Sequence, residues 1–215
     1  MAIMTSRRSL LLSLSALGVA IAAPARAAFT PTARDTADLA RIETYLNGLK
    51  TLKARFLQVA PDGGISNGVA WVSRPGRLRF EYDPPSPFLL VAGPTGLYFF
   101  DSSLRQTSNI PISRTPLGIL LSEKATLSGD VTVTGIERLP GQIDVSLIRT
   151  ASPGDGSLTL TFADAPLTLR QWRVIDAQRK ETRVSLFNME LGGRFNPKLF
   201  EFRGDDPMAG SAGGG

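Results

Sequence analysis

Cysteine and histidine are both absent from this chain of 215 residues, and each absence excludes several classes of function. No disulfide framework, thiolate zinc site, catalytic histidine or haem-ligating histidine can form. An enzyme with this sequence would have to use aspartate, glutamate, lysine, serine, threonine or tyrosine alone. We therefore expect neither enzymatic activity nor a metal or cofactor.

Long hydrophobic runs are also scarce, and the most marked one lies near the N-terminus. Residues 10–23 are apolar but too short to span a bilayer comfortably, and they follow Arg7 and Arg8. An A-x-A cleavage pattern follows at residues 25–27. Residues 1–27 are thus predicted to be a cleaved signal peptide, with an uncleaved anchor helix as the alternative. The paired arginines fit either general secretory or twin-arginine export.

A large excess of positive charge is missing once this signal is removed. The whole chain has a formal charge of +5, but residues 1–27 contain three arginines and no acidic residue, which leaves 21 basic against 19 acidic residues. A net charge of about +2 gives no electrostatic reason to expect nucleic acid as a partner. We expect a soluble, monomeric periplasmic protein with one domain over residues 28–207 and a disordered glycine-rich tail over residues 208–215.

The chain after the signal begins with one amphipathic helix and continues as short strands. Apolar residues at three- and four-residue steps predict a helix over residues 35–52. Its apolar positions are Leu39, Ile42, Leu46 and Leu49. Later segments alternate apolar and polar residues, as in 77–82, 143–147 and 158–162, and turn signals separate them at intervals of about ten residues. This pattern predicts an antiparallel meander that closes, or nearly closes, on itself.

Three segments depart from that alternation. Residues 88–91 and 97–100 are apolar at every position, which predicts that something covers the second face of the sheet there. Residues 115–121 combine a threonine suited to capping, Pro116 at the first helical position and a nearly continuous apolar run. They are predicted to form a short helix that lies against a large apolar surface.

Few charged residues are positioned to act in catalysis. Glu81 and Asp83 lie two positions apart on a predicted strand, so they share a face and do not flank a cleft as a catalytic acid–base pair would. We expect both carboxylates to be solvated near Arg77 and Arg79. Arg74 lies at a strand end, where it is either a solvated turn residue or a donor to the free carbonyls of a helix C-terminus.

Taken in order, these motifs resemble the periplasmic outer-membrane lipoprotein carrier family (LolA). The matching motifs are K-A-R-F-L-Q at residues 53–58, G-V-A-W-V at 68–72, R-P-G-R-L-R-F-E-Y at 74–82, L-L-V at 89–91, L-Y-F-F-D at 97–101, Gln106, and T-P-L at 115–117 followed by Leu120 and Leu121. The resemblance runs in register over residues 39–121 and continues more loosely to Arg203.

The resemblance implies an α+β fold, mainly β with helices: an incomplete antiparallel β-barrel whose apolar concave face is closed by a lid of short helices. It implies a chaperone that takes acylated lipoproteins from an inner-membrane ABC-type release complex to an outer-membrane acceptor, with Arg74 as the latch of the lid. The residues expected to line the acyl-chain cavity are Leu78, Phe80, Tyr82, Leu90, Leu97 and Phe99. The residues expected in the lid helices are Leu39, Ile42, Leu46, Leu49, Pro116, Leu117, Leu120 and Leu121.

Other functions compete with this one. A carrier of another lipid, such as a glycolipid or hopanoid, would need the same apolar cavity, because such a cavity recognises chains more than head groups. A stress-sensor subunit of this fold would need an added regulatory domain, for which the chain leaves little room. A hydrolase of envelope lipids would lack the usual catalytic triad.

Overall fold

The computed structural model describes residues 29–94 and 96–202, and this part of the chain contains two α-helices and eleven β-strands. The predicted signal peptide and the predicted glycine-rich tail lie outside the described residues. Neither α-helix in the described ranges is both long and apolar enough to cross a membrane.

The helices and strands follow one another in a simple order. The helices are α1 (Ala33–Gly48) and α2 (Leu117–Leu120). The strands are β1 (Thr51–Val59), β2 (Ile65–Ser73), β3 (Arg77–Tyr82), β4 (Phe88–Gly93), β5 (Gly96–Asp101), β6 (Gln106–Ile110), β7 (Val131–Leu139), β8 (Gln142–Arg149), β9 (Gly156–Asp164), β10 (Leu167–Asp176) and β11 (Glu181–Leu191).

Helix α1 begins two residues before, and ends four residues before, the range that its periodicity predicts. It begins early because Thr32 forms a capping box: its Oγ1 accepts from the backbone N–H of Asp35, whose carboxylate accepts from the backbone N–H of Thr32. It ends early because Leu49 is extended. The predicted extension of the helix to Leu52 is wrong, since Leu52 lies in β1 and pairs with β2 and β11.

Helix α2 is a single turn, and its N-terminus differs from the predicted one. Pro116, not Thr115, occupies the N-cap position, and Thr115 instead donates a hydrogen bond from Oγ1 to the carbonyl of Ile112 at 2.9 Å. A 3-10 turn immediately before the helix places that carbonyl within reach of Thr115. Leu121 is the C-cap residue rather than part of the helix.

All eleven strands form one antiparallel sheet in the order β6-β5-β4-β3-β2-β1-β11-β10-β9-β8-β7. Two meanders, β1 to β6 and β7 to β11, are joined where β1 pairs with β11. The two edge strands, β6 and β7, are consecutive in the chain and are linked by the connection that contains α2. This arrangement confirms the predicted incomplete antiparallel barrel, open between β6 and β7.

Strand register brings the alternating apolar side chains into rows across one face, here called the concave face. One row crosses five strands: Ala54, Ala70, Phe80, Leu90 and Phe99. The next row is Leu52, Val72, Leu78, Ala92 and Leu97. Because side chains two positions apart share a face, this one side of the sheet carries the main hydrophobic core together with α1 and α2.

The opposite, convex face is covered over β3 to β5. This cover was predicted because residues 88–91 and 97–100 are apolar at every position. Leu89, Val91 and Phe100 form a second buried cluster against which Phe202 packs. Phe202 also stacks on Tyr98, with ring centroids 4.9 Å apart. The cover is therefore residues 197–202, here called the C-terminal segment.

This cover also changes the environment of the charged residues on β3. Arg79 is only 2% exposed, donates from Nε to Glu81 at 2.6 Å and donates from Nη1 to the carbonyl of Leu199 at 3.2 Å. Asp83 forms its ion pair with Arg55 on β1. Arg79, beside which both carboxylates were expected to be solvated, is itself buried, because the C-terminal segment lies over it.

Candidate functional site

The six residues expected to line a cavity all lie on the concave face. Leu78, Phe80 and Leu97 are buried, whereas the other three, Tyr82, Leu90 and Phe99, are half-buried. Sheet register therefore brings the predicted cavity residues together on one continuous apolar surface.

Aromatic rings form a chain of contacts across this surface. Trp172 lies 5.9 Å from Phe80, which stacks on Phe56 at 4.6 Å, and Phe56 meets Tyr82 edge-on at 5.1 Å. Phe88 then links Tyr82 to Phe99, at 5.8 and 5.2 Å. The sequence analysis missed three of these rings, Phe56, Phe88 and Trp172. Phe56 was the most visible of them, because Ala54 and Phe56 alternate with Lys53 and Arg55 on β1.

Tyr82 is the one residue in this chain of aromatic contacts that has a hydroxyl group. Its OH donates to Oε1 of Gln58 at 2.8 Å. Burial raises the pKa of Tyr82 to about 12, so the phenol stays neutral. A neutral, hydrogen-bonded phenol keeps charge away from the apolar face.

The lid, defined as α1 and residues 117–127, covers the concave face. Ile42 and Leu46 of α1 are 0% and 2% exposed, and they belong to the same core cluster as Leu78 and Phe80. The other lid residues expected from the sequence are also in contact with this core or buried: Leu39, Leu49, Pro116, Leu117, Leu120 and Leu121. In this structure the lid side chains pack directly on the apolar surface.

Polar side chains on α1 join the two parts of the lid. Asn47 donates from Nδ2 to the carbonyl of Ala125 and accepts from its N–H, both at 2.9 Å. Glu43 accepts from the N–H of Leu127 at 2.5 Å. These bonds connect α1 to the chain that follows α2.

Arg74 contacts both parts of the lid from the end of β2. Its Nη1 donates to the carbonyls of Leu46 and Leu49, and its Nε and Nη2 both donate to the carbonyl of Ser122. Burial lowers the pKa of the guanidinium, because the carbonyl partners carry no full charge. These acceptors lie at or just beyond the C-terminal ends of the two helices, and the carbonyl of Leu46 also accepts from the N–H of Leu49 at 3.2 Å.

The N-terminal half of α1 is held by an ionic cluster that the sequence analysis missed. Arg138 on β7 donates to Asp35 and Asp38, with both closest contacts at 2.7 Å. Arg41 bridges Asp38 and Asp164, at 2.8 and 2.9 Å. Hydrogen bonds from Thr32 and Arg138 lower the pKa of Asp35 to about 2. The spacing of Asp35, Asp38 and Arg41 on one helix was visible, but their partners lie far away in sequence.

One short serine motif does not form a catalytic site. Residues 64–68 read G-x-S-x-G, but Ser66 lies within β2 and its Oγ accepts a hydrogen bond from Ser86 at 3.2 Å. A nucleophile elbow places its serine at a strand-to-helix turn and needs a histidine, which this chain lacks.

Comparison with known proteins identifies the family to which the chain belongs. A protein-family model described as "Outer membrane lipoprotein carrier protein LolA" matches residues 47–203. Because this match covers more than half of the chain, the chain belongs to the LolA family.

Individual relatives are similar over most of their length. The chain is 26% identical over 177 residues to an outer-membrane lipoprotein carrier protein of Methylococcus capsulatus, covering 78% of this chain and 84% of that protein. It is 24% identical over 191 residues to a protein of the same name from Pseudomonas aeruginosa, covering 85% and 91%. Among solved structures, a LolA superfamily protein from Nitrosomonas europaea aligns with a TM-score of 0.42 and 10% identity, covering 76% of this chain and 97% of that one.

Proposed function

We propose that this protein is a periplasmic chaperone that binds the acyl chains of lipoproteins and carries them from the inner to the outer membrane. It acts by binding and release, not by making or breaking covalent bonds. The observation that carries the proposal is the apolar concave face covered by a lid whose attachment at Arg74 consists of hydrogen bonds to backbone carbonyls.

The energetics of acyl chains support a covered apolar face. Exposing an acyl chain to water costs about 0.8 kcal/mol per CH₂ group, so two or three chains require a large apolar surface. In this structure that surface is covered by Ile42, Leu46 and Leu120 of the lid. Cargo therefore takes the place of lid side chains, and one apolar contact replaces another.

The lid contacts support a reversible cycle. Each hydrogen bond at Arg74 contributes on the order of 1 kcal/mol net, which is small enough for cargo to displace. In the proposed cycle, an inner-membrane ABC-type release complex loads the open protein, and reclosure at Arg74 assists transfer to an outer-membrane acceptor. Membership of the LolA family and the names of the relatives, which are outer-membrane lipoprotein carrier proteins, support lipoproteins as the cargo.

A transfer assay tests the proposal. The processed protein, purified from the periplasm, is incubated with spheroplasts that carry a radiolabelled outer-membrane lipoprotein. The expected result is a soluble one-to-one complex in the supernatant. A known lipoprotein carrier, incubated in the same way, serves as the positive control. If the known carrier releases the lipoprotein but this protein, correctly folded, leaves it in the spheroplasts, the proposal is contradicted.

The alternative cargo, a glycolipid or hopanoid, is resolved by a second measurement. Mass spectrometry of material that copurifies with the protein should identify triacylated peptides. If a glycolipid or hopanoid copurifies instead, the apolar face carries that lipid and not lipoproteins.

A further inference from the structure

Arg149 lies at the end of β8 on the concave side of the sheet. Val145 and Leu147, four and two positions before it, are fully buried in the main core. Its cross-strand partner on β7, Val131, belongs to the same core. Because side chains two apart on a strand share a face, Arg149 places a guanidinium at the margin of the apolar surface.

This guanidinium has one buried donor that it does not use. Nη2 donates to the carbonyl of Thr115, just before α2, at 3.1 Å. Nε is buried and has no hydrogen-bond partner within the described ranges. Gly118 of α2 lies directly against Arg149, since a Cβ at that position would be 2.6 Å from Nη2. Buried donors are nearly always paired, so the unused Nε indicates that a further acceptor belongs here.

A cleft of about 410 Å³ adjoins Arg149 and indicates which acceptor fits. Ser113, Thr150 and Ser152 give it a polar lining, and Asp130 adds a carboxylate. A second anion beside Asp130 would be repelled, and a neutral carbonyl oxygen would not. The lining therefore favours an uncharged acceptor over a phosphate.

We propose that Arg149 forms a polar subsite that binds the ester carbonyl oxygens of a cargo diacylglyceryl group. The proposal rests on the proposed function, because it needs acyl chains on the concave face. When α2 moves away to admit cargo, the carbonyl of Thr115 leaves Nη2, and two donors then face an apolar surface. Ester carbonyls lie where acyl chains join the glyceryl head, so they satisfy both donors while the chains cover the apolar rows.

A comparison of paired ligands tests this subsite. The first is a triacylated cysteinyl peptide with two glyceryl esters, and the second is the same peptide with ether links and equal chain lengths. Displacement of a fluorescent fatty-acyl probe gives the affinity of each. We expect wild type to bind the ester ligand about tenfold more tightly than the ether ligand. Arg149→Leu should bind the two ligands within about twofold of each other.

Two further variants separate this effect from a general loss of structure. Arg149→Lys keeps the charge but lacks an Nε donor and the planar fork, so it should lose most of the ester preference. Arg183→Leu, at an exposed arginine of β11 that pairs with Glu181, should keep the full preference. Thermal unfolding of each variant establishes that the compared proteins are folded.

The possible outcomes distinguish failure of the proposed subsite from failure of the proposed carrier function. Equal binding of both ligands by wild type would overturn the subsite and leave the carrier function standing. Binding of neither ligand by wild type would overturn the carrier function and the subsite with it. An Arg149-dependent preference for an ether-linked phosphatidate over the ether peptide would overturn the carbonyl assignment, because it would show an anion site.

Discussion

Arg74 and Ser122 are 48 positions apart in sequence, and the carbonyl of Ser122 accepts hydrogen bonds from both Nε and Nη2 of Arg74, at 3.2 and 2.7 Å. The same guanidinium also donates to Leu46 of α1. One side chain therefore contacts both parts of the lid, and its release would free both at once. This relationship leads to the first prediction.

Replacement of Arg74 should slow release of cargo more than its acceptance. Arg74→Leu removes the guanidinium donors to Leu46 and Ser122 but keeps apolar bulk, so the lid loses these hydrogen bonds while the concave face stays intact. We expect release to the acceptor to slow by at least about fivefold, with Arg74→Lys between Arg74→Leu and wild type. Acceptance and release are measured separately with a fixed amount of labelled lipoprotein.

Arg77→Leu is the matched control, because Arg77 lies just beyond the same turn. It should transfer cargo at the wild-type rate. Equal release by wild type and Arg74→Leu would show that the hydrogen bonds at Arg74 do not contribute to transfer.

Loss of the bonds between the two parts of the lid should loosen it without removing its apolar contacts. Asn47→Ala deletes both hydrogen bonds to Ala125, and we expect the free energy of unfolding to fall by about 1–2 kcal/mol. Hydrogen exchange at the amides of Ala125 and Leu127 should become faster. Thr44→Ala is the control, since the Thr44 hydroxyl donates only to Ala40 within α1. Unchanged exchange at Ala125 in Asn47→Ala would contradict the prediction.

The ionic cluster at the start of α1 should make stability depend on pH in the acid range. The pKa of Asp35 is about 2 in the folded protein, below its ordinary value of 3.8, so the unfolded chain binds more protons between these values. The stabilisation is therefore fully present above pH 4 and is lost as the pH falls toward 2. Asp35→Asn should show a smaller drop in melting temperature between pH 4 and pH 2 than wild type.

Asp62→Asn, in the exposed β1–β2 turn, serves as the control for this change. It should retain the wild-type drop. An identical pH dependence in Asp35→Asn and wild type would show that the hydrogen bonds of Asp35 with Thr32 and Arg138 do not contribute to acid stability.

Sequence periodicity was sufficient to predict that the sheet has an apolar face, but not to predict which distant segments pack against either face. Leu78, Phe80 and Tyr82 could be placed on a common face because the strand period is two. Leu90 lies in a segment that is apolar at every position, so its place on that face was implied only by the resemblance to the LolA family. Arg79 could not be placed, because its burial depends on Leu199, 120 positions away. Alternation looks the same whether the polar face meets water or a distant segment of chain.

The lid shows the same limit. The apolar spacing of α1 was evident, whereas its link to Arg138, 103 positions from Asp35, arises only when β7, the first strand of the second meander, comes to lie beside the helix. The single turn of α2 also escaped sequence reasoning in detail, because the preceding 3-10 turn, rather than Thr115, sets where the helix begins.

A carboxylate on the concave face should abolish binding of acyl chains. Leu90 is half-buried and lies between Phe80 and Phe99 in its row, so Leu90→Glu can fold with the carboxylate reaching solvent. Cargo would have to bury that charge, and we expect affinity for a triacylated peptide to fall by about 100-fold. Leu104→Glu makes the same change at a position that is 64% exposed and should bind normally. Wild-type affinity in a folded Leu90→Glu protein would place the cargo elsewhere.

The C-terminal segment should stabilise the sheet through a close backbone contact at Gly93, the last residue of β4. A Cβ at Gly93 would lie 2.8 Å from the carbonyl oxygen of Phe200, so Gly93→Ala must push the segment away from the convex face. We expect the free energy of unfolding to fall by about 1–3 kcal/mol, as in overpacked cores. Gly135→Ala in β7 is the matched control: nothing lies within 4 Å of its Cβ, so stability should change by less than about 0.5 kcal/mol.

Because the segment covers the convex face and cargo is proposed to bind the concave one, folded Gly93→Ala should keep wild-type affinity for a triacylated peptide. A loss of affinity without a loss of stability would show that the segment acts on the cargo site itself.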